Sequence, residues 1–523
     1  MGPPAEDRPV ARPAGAAAPP RGPAVIRALR ADYRRRRWRR WSRRRLDALT
    51  AWVLAALVAL SLFLGVLLWL VTPPLPAPLL AGGGAAYVIG DALGQASVAA
   101  LLQPARVVLL YPGGPDVALG DPAANPLFGT LWSEARSLLG DVTPAELTAA
   151  RPVSPEEVAG LFGARRAPRA VLEVDLGPRL AWGQWWEVFG AGRPWRGGPG
   201  PAFDRVYLAP GARATEVFLL SRFTGLELSL PGGQGRVLAT LLLAQQGQPQ
   251  PSGYAVAPLG PVADTAFGVE PGINVPTDPS WSPVALHAEP VDGARLAAAI
   301  LGDPLAVRIY HGSDGTVTYS NPQDSTLQVR PGGVVSLTAP LVSAPPAGQD
   351  WLAGLHIVAG YVGRAGGWPP SAWLSSVVPV YPAGSCSLTT CTPFAYSYGF
   401  ETRYQGLPVI DRAPAVSVTA AGAGVTAYAR HVPLPGSPLP VGNGATWLPA
   451  RAIVAALERN PPPSLYAPPL VIDDISPAWV PLPLAGVLQP AWAVRFVPLA
   501  GGPARLVLVD AVHGQVLAVL TSG

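Results

Sequence analysis

Residues 34–71 read RRRRWRRWSRRRLDALTAWVLAALVALSLFLGVLLWLV, an arginine block followed at once by a long apolar run. Eleven arginines and one acid, Asp32, lie between Arg27 and Arg45, and no charged residue occurs from Ala48 to Gly90. As a helix, Leu49–Val71 would span roughly 34 Å at about 1.5 Å per residue, enough to cross a bilayer. The stretch predicts a single N-terminal transmembrane helix, assigned to residues 46–72.

The arginine flank predicts the orientation of this helix, because positively charged segments stay on the cytoplasmic side. Residues 1–45 are expected to form a disordered, Arg-rich cytoplasmic tail, and the chain after residue 72 is expected outside the membrane. A cleaved signal peptide is the competing interpretation, but its apolar core is normally about 7–15 residues long and this one is longer. The positive-inside flank comprises Arg34, Arg35, Arg36, Arg37, Arg39, Arg40, Arg43, Arg44 and Arg45.

The basic character of the chain is confined to this tail. Residues 1–45 carry a net charge of +11 and the whole chain carries +5, so residues 46–523 carry −6. Nucleic-acid binding by the outer part is therefore not expected. The arginines, with Trp38 and Trp41 among them, are interpreted as an anchor in contact with membrane lipid.

Two cysteines, Cys386 and Cys391, lie in a Ser/Thr-rich stretch of the outer part. No second cysteine pair and no nearby histidine completes a tetrahedral metal site. Outside the cytoplasm, a C-x4-C loop of this kind is expected to form a small disulfide, with free thiols as the alternative.

Residues 73–260 are predicted to form a membrane-proximal extracytoplasmic α+β domain. A helix begins after Asn125, which can cap it, and ends at Gly140. A second helix, Ala181–Gly190, carries aromatic residues at i, i+3, i+4 and i+7, and a packed core stripe is favoured over an aromatic row that binds a sugar or peptide. These residues are Trp182, Trp185, Trp186 and Phe189. The predicted extended stretches are Arg106–Tyr111, Ala170–Leu176, Phe203–Leu208, Glu216–Ser221 and, grouped with them, Arg236–Leu243.

Two Pro/Gly-rich stretches, near 248–261 and 343–349, are interpreted as linkers. They define a middle α+β domain at 261–345 and a C-terminal α+β domain at 346–523. In the middle domain Asp292 caps a helix through Leu301, and an Asp314-Gly315 turn joins two strands.

Further helices are predicted at Asp350–Val362 and Thr446–Asn460, each followed by strands. The recurring order of a helix followed by antiparallel strands predicts an α+β fold of repeated units.

Catalytic motifs are absent from the sequence. The five histidines are scattered singly, no G-x-S-x-G or H-E-x-x-H motif occurs, and a chain without lysine has no phosphate-binding loop lysine. The adjacent acids Asp473-Asp474 and Glu156-Glu157 are interpreted as capping or solvated carboxylates, because sequence neighbours point to different sides of a strand or helix. No catalytic, cofactor-binding or metal-ligating residue is predicted, and the chain is not expected to be an enzyme.

The apolar run itself offers a contact surface. Ala51, Ala55 and Ala59 are spaced four apart, as are Ser61 and Gly65, so a partner helix could approach closely along this stripe. An alanine-rich composition also produces such spacing by chance, and both interpretations stay open.

Several collinear segments of the chain resemble the YycH family. They are Leu67–Leu70 at the end of the apolar run, Gln103–Val108, Phe203–Leu208, the series Asp303–Arg308, Val317–Ser320 and Leu327–Val329, and the closing segments Gly406–Ile410, Val416–Val418 and Val425–Arg430. Each segment is a diffuse folding signature, and the resemblance depends on their common order over roughly residues 46–523. The Arg-rich tail and the high Pro, Ala and Gly content depart from the family pattern.

The resemblance implies a function without catalytic residues or cofactors. Members of the YycH family are single-pass membrane regulators of the YycG/WalK sensor histidine kinase, which controls cell-wall metabolism in Gram-positive bacteria (Firmicutes), and their helix packs with helices of the kinase and of the related protein YycI. By resemblance, the expected partners are a YycG/WalK-like kinase and a YycI-like protein, and the domain at 346–523 resembles YycI. The alternative is an extracytoplasmic binding protein for a cell-wall polymer or peptide, without a kinase partner.

Overall fold

The computed structural model describes residues 98–521, and these belong to one compact unit, Tyr87–Gly523. Outside the description lie residues 163–168, 191–194, 196–199, 222–223, 249–252, 260–266, 271, 304, 341–349, 382–392, 423, 440–445, 466–468 and 500–501. The arginine block, the run Leu49–Val71 and both cysteines are also outside it. Within the described ranges, no helix is both long enough and apolar enough to cross a membrane.

The first half of the described chain forms a nine-stranded sheet in which all neighbouring strands are antiparallel. Its strands are β1 (Arg106–Leu110), β2 (Asp116–Leu119), β3 (Arg151–Val153), β4 (Val171–Ala181), β5 (Ala202–Pro210), β6 (Ala214–Leu220), β7 (Gly225–Pro231), β8 (Gly253–Pro258) and β10 (Asn274–Pro276), while β9 (Gly268–Val269) pairs elsewhere. Their order across the sheet is β10-β8-β2-β1-β4-β5-β6-β7-β3. We call this the first sheet.

Helices cover both faces of the first sheet. They are α1 (Val98–Leu101), α2 (Pro126–Gly140), α3 (Pro144–Thr148), α4 (Pro155–Phe162), α5 (Trp182–Phe189) and α6 (Arg236–Gln245). Helices α2, α5 and α6 bury Phe128, Trp185 and Leu238 on one face, and α4 packs Phe162 against Tyr207 on the other. The first sheet is therefore apolar on both sides, so a charged residue within it has to find a polar partner.

Local signals in this half predicted helices α2 and α5. Asn125 caps α2 by accepting a hydrogen bond from the Leu127 N–H, and α2 ends at Gly140 as predicted. The aromatic row of α5 is a packed core stripe, since its four rings are at most 6% exposed.

Two expectations for this half are wrong. The stretch grouped with the strands at Arg236–Leu243 is helix α6, because Leu238 and Leu242 lie one turn apart and are buried on the same side. The linker expected near 248–261 contains β8, which hydrogen-bonds β2 and β10 on either side.

The second half forms a sheet of sixteen described strands, which we call the second sheet. The additional strands are β11 (Val284–Ala288), β12 (Arg308–His311), β13 (Val317–Ser320), β14 (Thr326–Arg330), β15 (Val334–Thr338), β16 (Trp373–Val380), β17 (Ala395–Tyr404), β18 (Leu407–Val409), β19 (Val416–Ala421), β20 (Gly424–Arg430), β21 (Pro433–Pro438), β22 (Leu470–Leu482), β23 (Val487–Pro498), β24 (Arg505–Asp510) and β25 (Val516–Thr521). The main path is β12-β13-β14-β15-β20-β19-β17-β18-β22-β23-β11-β21, with β16 on β17, β24 between β23 and β25, and β9 on β22.

The two halves of the second sheet meet at β17 and β18. Strand β17 pairs with β16 and β19 along most of its length and with β18 at its end. Strand β18 then joins β22 through one parallel pair, Val409 with Trp479. The second sheet thus consists of two mainly antiparallel halves connected through the three-residue strand β18, with β9 parallel to β22 in one of them.

Three helices cover the second sheet: α7 (Gly293–Leu301), α8 (Trp351–Arg364) and α9 (Ala450–Arg459). Helix α8 packs on β17, β19 and β20, and α9 buries Ile453, Val454 and Leu457 against the half that contains β22 and β23. Two short 3-10 helices lie at Pro463–Leu465 and Pro483–Ala485. Helices packed on mainly antiparallel sheets confirm the α+β class for the described residues.

Helix caps and the hairpin of this half follow the sequence. Asp292 caps α7, and the turn at Asp314-Gly315 joins β12 and β13 as predicted. Helix α9 begins at Ala450 instead of Thr446, directly after a proline at its N-cap. Strand pairs connect the ranges on either side of residue 345, for example β15 with β20. The boundaries of the domains at 73–260, 261–345 and 346–523 stay predictions.

A buried ion pair joins the start of α7 to the second sheet. Arg430 donates from Nε and Nη2 to the two carboxylate oxygens of Glu289 at 2.7 and 2.6 Å, and from Nη1 to the Gly367 carbonyl at 2.5 Å. The two side chains are 3% and 5% exposed, so each charge depends on the other for solvation.

Replacing Arg430 with Met should lower the free energy of unfolding by about 3–5 kcal/mol, because Glu289 is left as an uncompensated buried charge. Urea unfolding of the full-length protein measures this change. The double variant Glu289→Gln/Arg430→Met should recover part of the loss, and the exposed control Arg308→Met should stay within about 0.5 kcal/mol. Equal losses for the single and double variants would contradict the dependence of Glu289 on Arg430.

Candidate functional site

A cavity of about 470 Å³ lies where the first sheet meets the second sheet. Strands β1, β4 and β8 line it from one side, and strands β16, β17, β18, β22 and β23 line it from the other. The charged and aromatic residues that line it are Arg106, Asp175, Tyr254, Trp373, Glu401, Asp411, Arg412, Asp474 and Arg495. The cavity combines charged groups with an apolar wall, and its volume falls in the range of about 300–1,000 Å³ that is typical of small-molecule sites.

Glycine allows the two sheets to approach beside the cavity. Gly177, in the irregular part of β4, has φ +82, and a side chain there would put its first carbon 2.5 Å from the Trp373 ring. Gly120 follows β2 and contacts the Gly406 carbonyl so closely that no larger residue fits. At Gly177 the backbone of the first sheet contacts a side chain of the second sheet, and at Gly120 it contacts the backbone. Both approaches require a residue without a side chain.

Arg403 crosses from the second sheet into the first. Its Nη2 donates to the Pro104 carbonyl at 2.6 Å, and its guanidinium carbon lies 5.0 Å from the centre of the Trp373 ring. Burial lowers the pKa of Arg403 to about 9, so the side chain remains charged near neutral pH. A backbone carbonyl and an aromatic face compensate part of this buried charge.

Arg106 is the most buried cation of the cavity wall. It is 9% exposed, its Nη2 lies 3.7 Å from Asp474 Oδ1, and its Nε and Nη1 have no hydrogen-bond partner among the described residues. Burial acts to lower the pKa of Arg106, but Asp474 and the neighbouring Tyr254 outweigh it and raise this pKa. Two N–H groups of this cation are thus buried without a hydrogen-bond partner among the described residues, which is costly.

Other buried charges extend the cavity wall into an ionic network. Arg495 donates to Asp473 at 2.8 Å within the second sheet, and Asn274 donates to Glu173 at 3.0 Å within the first sheet. Burial raises the pKa of Glu173, with Arg106 acting in the opposite direction. These contacts lie within one sheet each, and Arg106 with Asp474 is the ion pair named here that joins the two sheets.

Glu401 is an acid in the cavity wall without an obvious counter-charge. It lies opposite Trp373 in the β16–β17 pairing, and its Oε2 is buried without a hydrogen-bond partner among the described residues. Burial raises the pKa of Glu401 to about 8, and the negative charge of Asp411 adds to this shift. Asp411 itself lies 3.2 Å from the His431 ring. Glu401 is therefore largely protonated at neutral pH.

The site residues predicted from the sequence are not among the described residues. The possible disulfide residues Cys386 and Cys391, the stripe of Ala51, Ala55, Ala59, Ser61 and Gly65, and the arginine flank from Arg34 to Arg45 all lie outside the described residues. Their roles stay predictions. Within the described part of the chain, no group of three His, Cys, Asp or Glu residues is arranged to hold a metal ion.

The interpretation of Asp473-Asp474 as capping or solvated acids is wrong. A bulge in β22 sends both carboxylates to arginines, Asp473 to Arg495 and Asp474 to Arg106. Glu156 and Glu157 are exposed, as expected, and Glu157 pairs with Arg151. A charged residue at the start of an otherwise apolar strand, such as Arg106 in Arg106–Leu110, was the available signal. A buried charge needs a partner, so it could have indicated an ion pair.

Comparison with known proteins gives structural likenesses only. No protein-family model matches the sequence, and no curated protein matches it. A solved structure, YycH from Bacillus subtilis, aligns over 81% of this chain and 96% of its own, with a TM-score of 0.49 and 14% identity. The chain is similar in fold to YycH. This is the family that the sequence segments resemble, and at such identity the likeness concerns the fold alone.

Two further solved structures align over about half of the chain. An uncharacterised protein from Eubacterium rectale covers 47% of this chain and 90% of its own, with a TM-score of 0.30 and 12% identity. The C-terminal domain of YpeB from Bacillus megaterium covers 45% of this chain and 99% of its own, with a TM-score of 0.25 and 10% identity.

The raised pKa of Glu401 predicts a pH-dependent stability. The ordinary pKa of a glutamate is 4.5, and Glu401 in the folded protein titrates near 8. Between these values the folded protein holds a proton that the unfolded chain has released, so the free energy of unfolding falls as pH rises. Urea unfolding at pH 5, 6, 7 and 8 should show this fall in the wild type, and Glu401→Gln should show less of it.

The variant Glu156→Gln, which removes an exposed carboxylate far from the cavity, is the matched control. Its pH profile should run parallel to that of the wild type. A Glu401→Gln profile that is also parallel over this range would contradict the raised pKa.

Proposed function

We propose that the chain is a non-catalytic, membrane-anchored accessory regulator of a two-component sensor histidine kinase that controls cell-wall metabolism. It is held in the cell membrane by one helix, with its N-terminus in the cytoplasm and its bulk outside. A YycI-like protein is the second proposed partner. The observation that carries the proposal is the collinear set of segments that resemble the YycH family, together with the arginine block and apolar run ahead of them.

Three of the segments that carry the resemblance lie within or beside inner strands, whereas Asp303–Arg308 leads into β12, the exposed outermost strand of the second sheet. Gln103–Val108 ends in β1, in the middle of the first sheet, and Phe203–Leu208 lies within β5. Gly406–Ile410 contains β18, the strand that connects the two halves of the second sheet. The proposal is therefore supported by the common order of the segments along the chain, and not by the position of any one of them.

The proposed mechanism requires no chemistry on a substrate. A spanning helix that packs more favourably with one state of a kinase than with the other shifts the kinase toward that state by its difference in binding free energy. The small-residue stripe Ala51, Ala55 and Ala59 is the proposed contact, and the outer sheets would alter its position or availability. Membrane lipid around the arginine flank would hold the helix at a constant depth.

One structural observation favours the alternative function. The cavity between the two sheets has the volume and the mixed polarity of a ligand site. An extracytoplasmic binding protein for a cell-wall polymer or peptide, acting without a kinase, would use such a site directly.

Co-purification of the full-length tagged protein from membranes tests the proposal. A histidine kinase should be identified by mass spectrometry with the wild type and lost when Leu49–Val71 is replaced by an unrelated spanning helix. Absence of any histidine kinase from the wild-type sample would contradict the proposed function. Retention of the kinase by the replaced helix would contradict a contact through the membrane.

Point variants locate the contact on the helix. Ala51→Leu/Ala55→Leu/Ala59→Leu should reduce the recovered kinase about tenfold, because larger side chains keep the partner helix at a distance. The control Val53→Leu/Ala56→Leu adds bulk away from the stripe and should leave recovery unchanged.

A further inference from the structure

Strand β12 is an exposed edge of the second sheet. It stands first in the path across the sheet, and among the described residues no strand pairs with its outer side. All four of its residues, Arg308–His311, are exposed, whereas Tyr319, which lies opposite Ile309 on β13, is buried. Helix α7 packs on β13 and β14. The core of this half therefore ends one strand before the edge.

The usual protections of an edge strand are missing from β12. Proteins commonly protect an edge with a proline, a bulge or a covering element, because its unpaired N–H and C=O groups attract another strand. Strand β12 contains no proline, and its pairing with β13 has no register shift. Its central residues Ile309 and Tyr310 are each 54% exposed, and Leu305 just before the strand is 94% exposed. Arg308, its arginine, stands at the first position only, so the middle of the edge is open and apolar.

The backbone of β12 directs the polar groups of two residues to the open side. Gly312, the residue after the strand, donates its N–H to the Thr316 carbonyl at 2.7 Å. Hydrogen-bonded and non-hydrogen-bonded pairs alternate along an antiparallel ladder, so Tyr310 belongs to the next hydrogen-bonded pair with β13. The N–H and C=O groups of Ile309 and His311 therefore point away from β13.

This pattern is complementary to itself. Two copies of β12 can lie antiparallel around a two-fold axis at Tyr310, which sets Ile309 of each copy opposite His311 of the other. Each of these two pairs forms two backbone hydrogen bonds, because all the groups involved point outward. Tyr310 then lies beside the same residue of the second copy, and cross-strand aromatic pairs of this kind stabilise a sheet.

The charges at the two ends of β12 favour the same antiparallel arrangement. Arg308 is exposed at the start of the strand, and Asp314 is exposed in the turn after it. Hydrogen bonds from the Thr316 backbone and side chain lower the pKa of Asp314, so its carboxylate is charged at neutral pH. In the antiparallel pair, Arg308 of one copy lies opposite the residue two positions before Asp314 of the other, within reach of a long side chain, and the contact occurs twice. A parallel pair in register would set the two copies of Arg308 side by side.

We propose that β12 is the edge through which two copies of this chain pair, so that their second sheets become one continuous sheet. Four backbone hydrogen bonds make a small interface, and we therefore place the pairing between copies in the same membrane, where tethering raises their effective concentration. In this respect the inference rests on the membrane anchor of the proposed function. It adds a partner that the proposed function does not include, a second copy of the chain.

Disulfide cross-linking of the full-length protein in membranes tests both the pairing and its register. Every variant also carries Cys386→Ser and Cys391→Ser, so that only the introduced cysteine reacts. Tyr310→Cys should cross-link two copies on oxidation, because the Cα atoms of a directly opposite, non-hydrogen-bonded pair are about 4.5 Å apart, which a disulfide can span. Arg308→Cys is the matched control for the register. Its two copies would lie four residues apart along the strands, about 13 Å, and should not cross-link.

Co-purification of two differently tagged full-length copies is the second measurement, and it leaves the native cysteines in place. Ile309→Lys should reduce recovery of the second copy about tenfold, because a lysine on an edge strand opposes the addition of another strand. The matched control Leu499→Lys adds the same charge after β23 at a position that is 55% exposed, and it should leave recovery unchanged. Thermal unfolding of each variant verifies that it folds.

Cross-linking at neither position, or equally at both, would overturn the pairing, as would recovery that Ile309→Lys leaves unchanged. Cross-linking of the Tyr310→Cys variant to a different protein, identified by mass spectrometry, would overturn the second copy as the occupant of this edge. Washing the same membranes with carbonate separates this inference from the proposed function. Protein that washes off but still cross-links would contradict the anchor alone, and protein that stays in the membrane but does not pair would contradict the β12 interface alone.

Discussion

The hydrogen bond from Arg403 to the Pro104 carbonyl joins residues 299 positions apart and fixes the junction between the two sheets. Arg403 stands at the end of β17, the strand that both halves of the second sheet share, and Pro104 stands just before β1 in the first sheet. The positions of Trp373, Arg106 and the cavity follow from this junction. A charge in that place is costly, and the Trp373 ring and the Pro104 and Ala105 carbonyls compensate it only in part, since Nε and Nη1 of Arg403 have no hydrogen-bond partner among the described residues.

Buried ion pairs occur at several places in the described structure. Arg430 with Glu289 fastens α7 to the second sheet, and Arg495 with Asp473 joins adjacent strands. Such pairs add little net stability compared with apolar packing, but a displaced partner is costly. A strand arrangement that separated Arg430 from Glu289 or Arg495 from Asp473 would leave a buried charge without its partner, and apolar contacts alone would impose no such cost.

Features controlled by neighbouring residues could be predicted from the sequence, and features controlled by distant residues could not. The caps at Asn125 and Asp292 and the turn at Asp314-Gly315 depend on residues within one turn of each other, and all three were predicted correctly. Strand β8 lies in a proline- and glycine-rich stretch and was not predicted. It is extended because it hydrogen-bonds β2 on one side and β10 on the other, and both are distant in sequence. The cavity was missed for the same reason, since Arg106 and Asp474 are brought together only by the completed fold.

The second sheet narrows to a single pair of residues, Val409 and Trp479, where β18 meets β22. The other strand pairs along the path extend over two or more residues, and at this point the Ile410 N–H also donates to the Trp479 carbonyl at 2.8 Å. Pro408 and Ile410, the neighbours of Val409, both line the cavity. The connection between the two halves of the second sheet therefore consists of few backbone hydrogen bonds, and it borders the cavity directly.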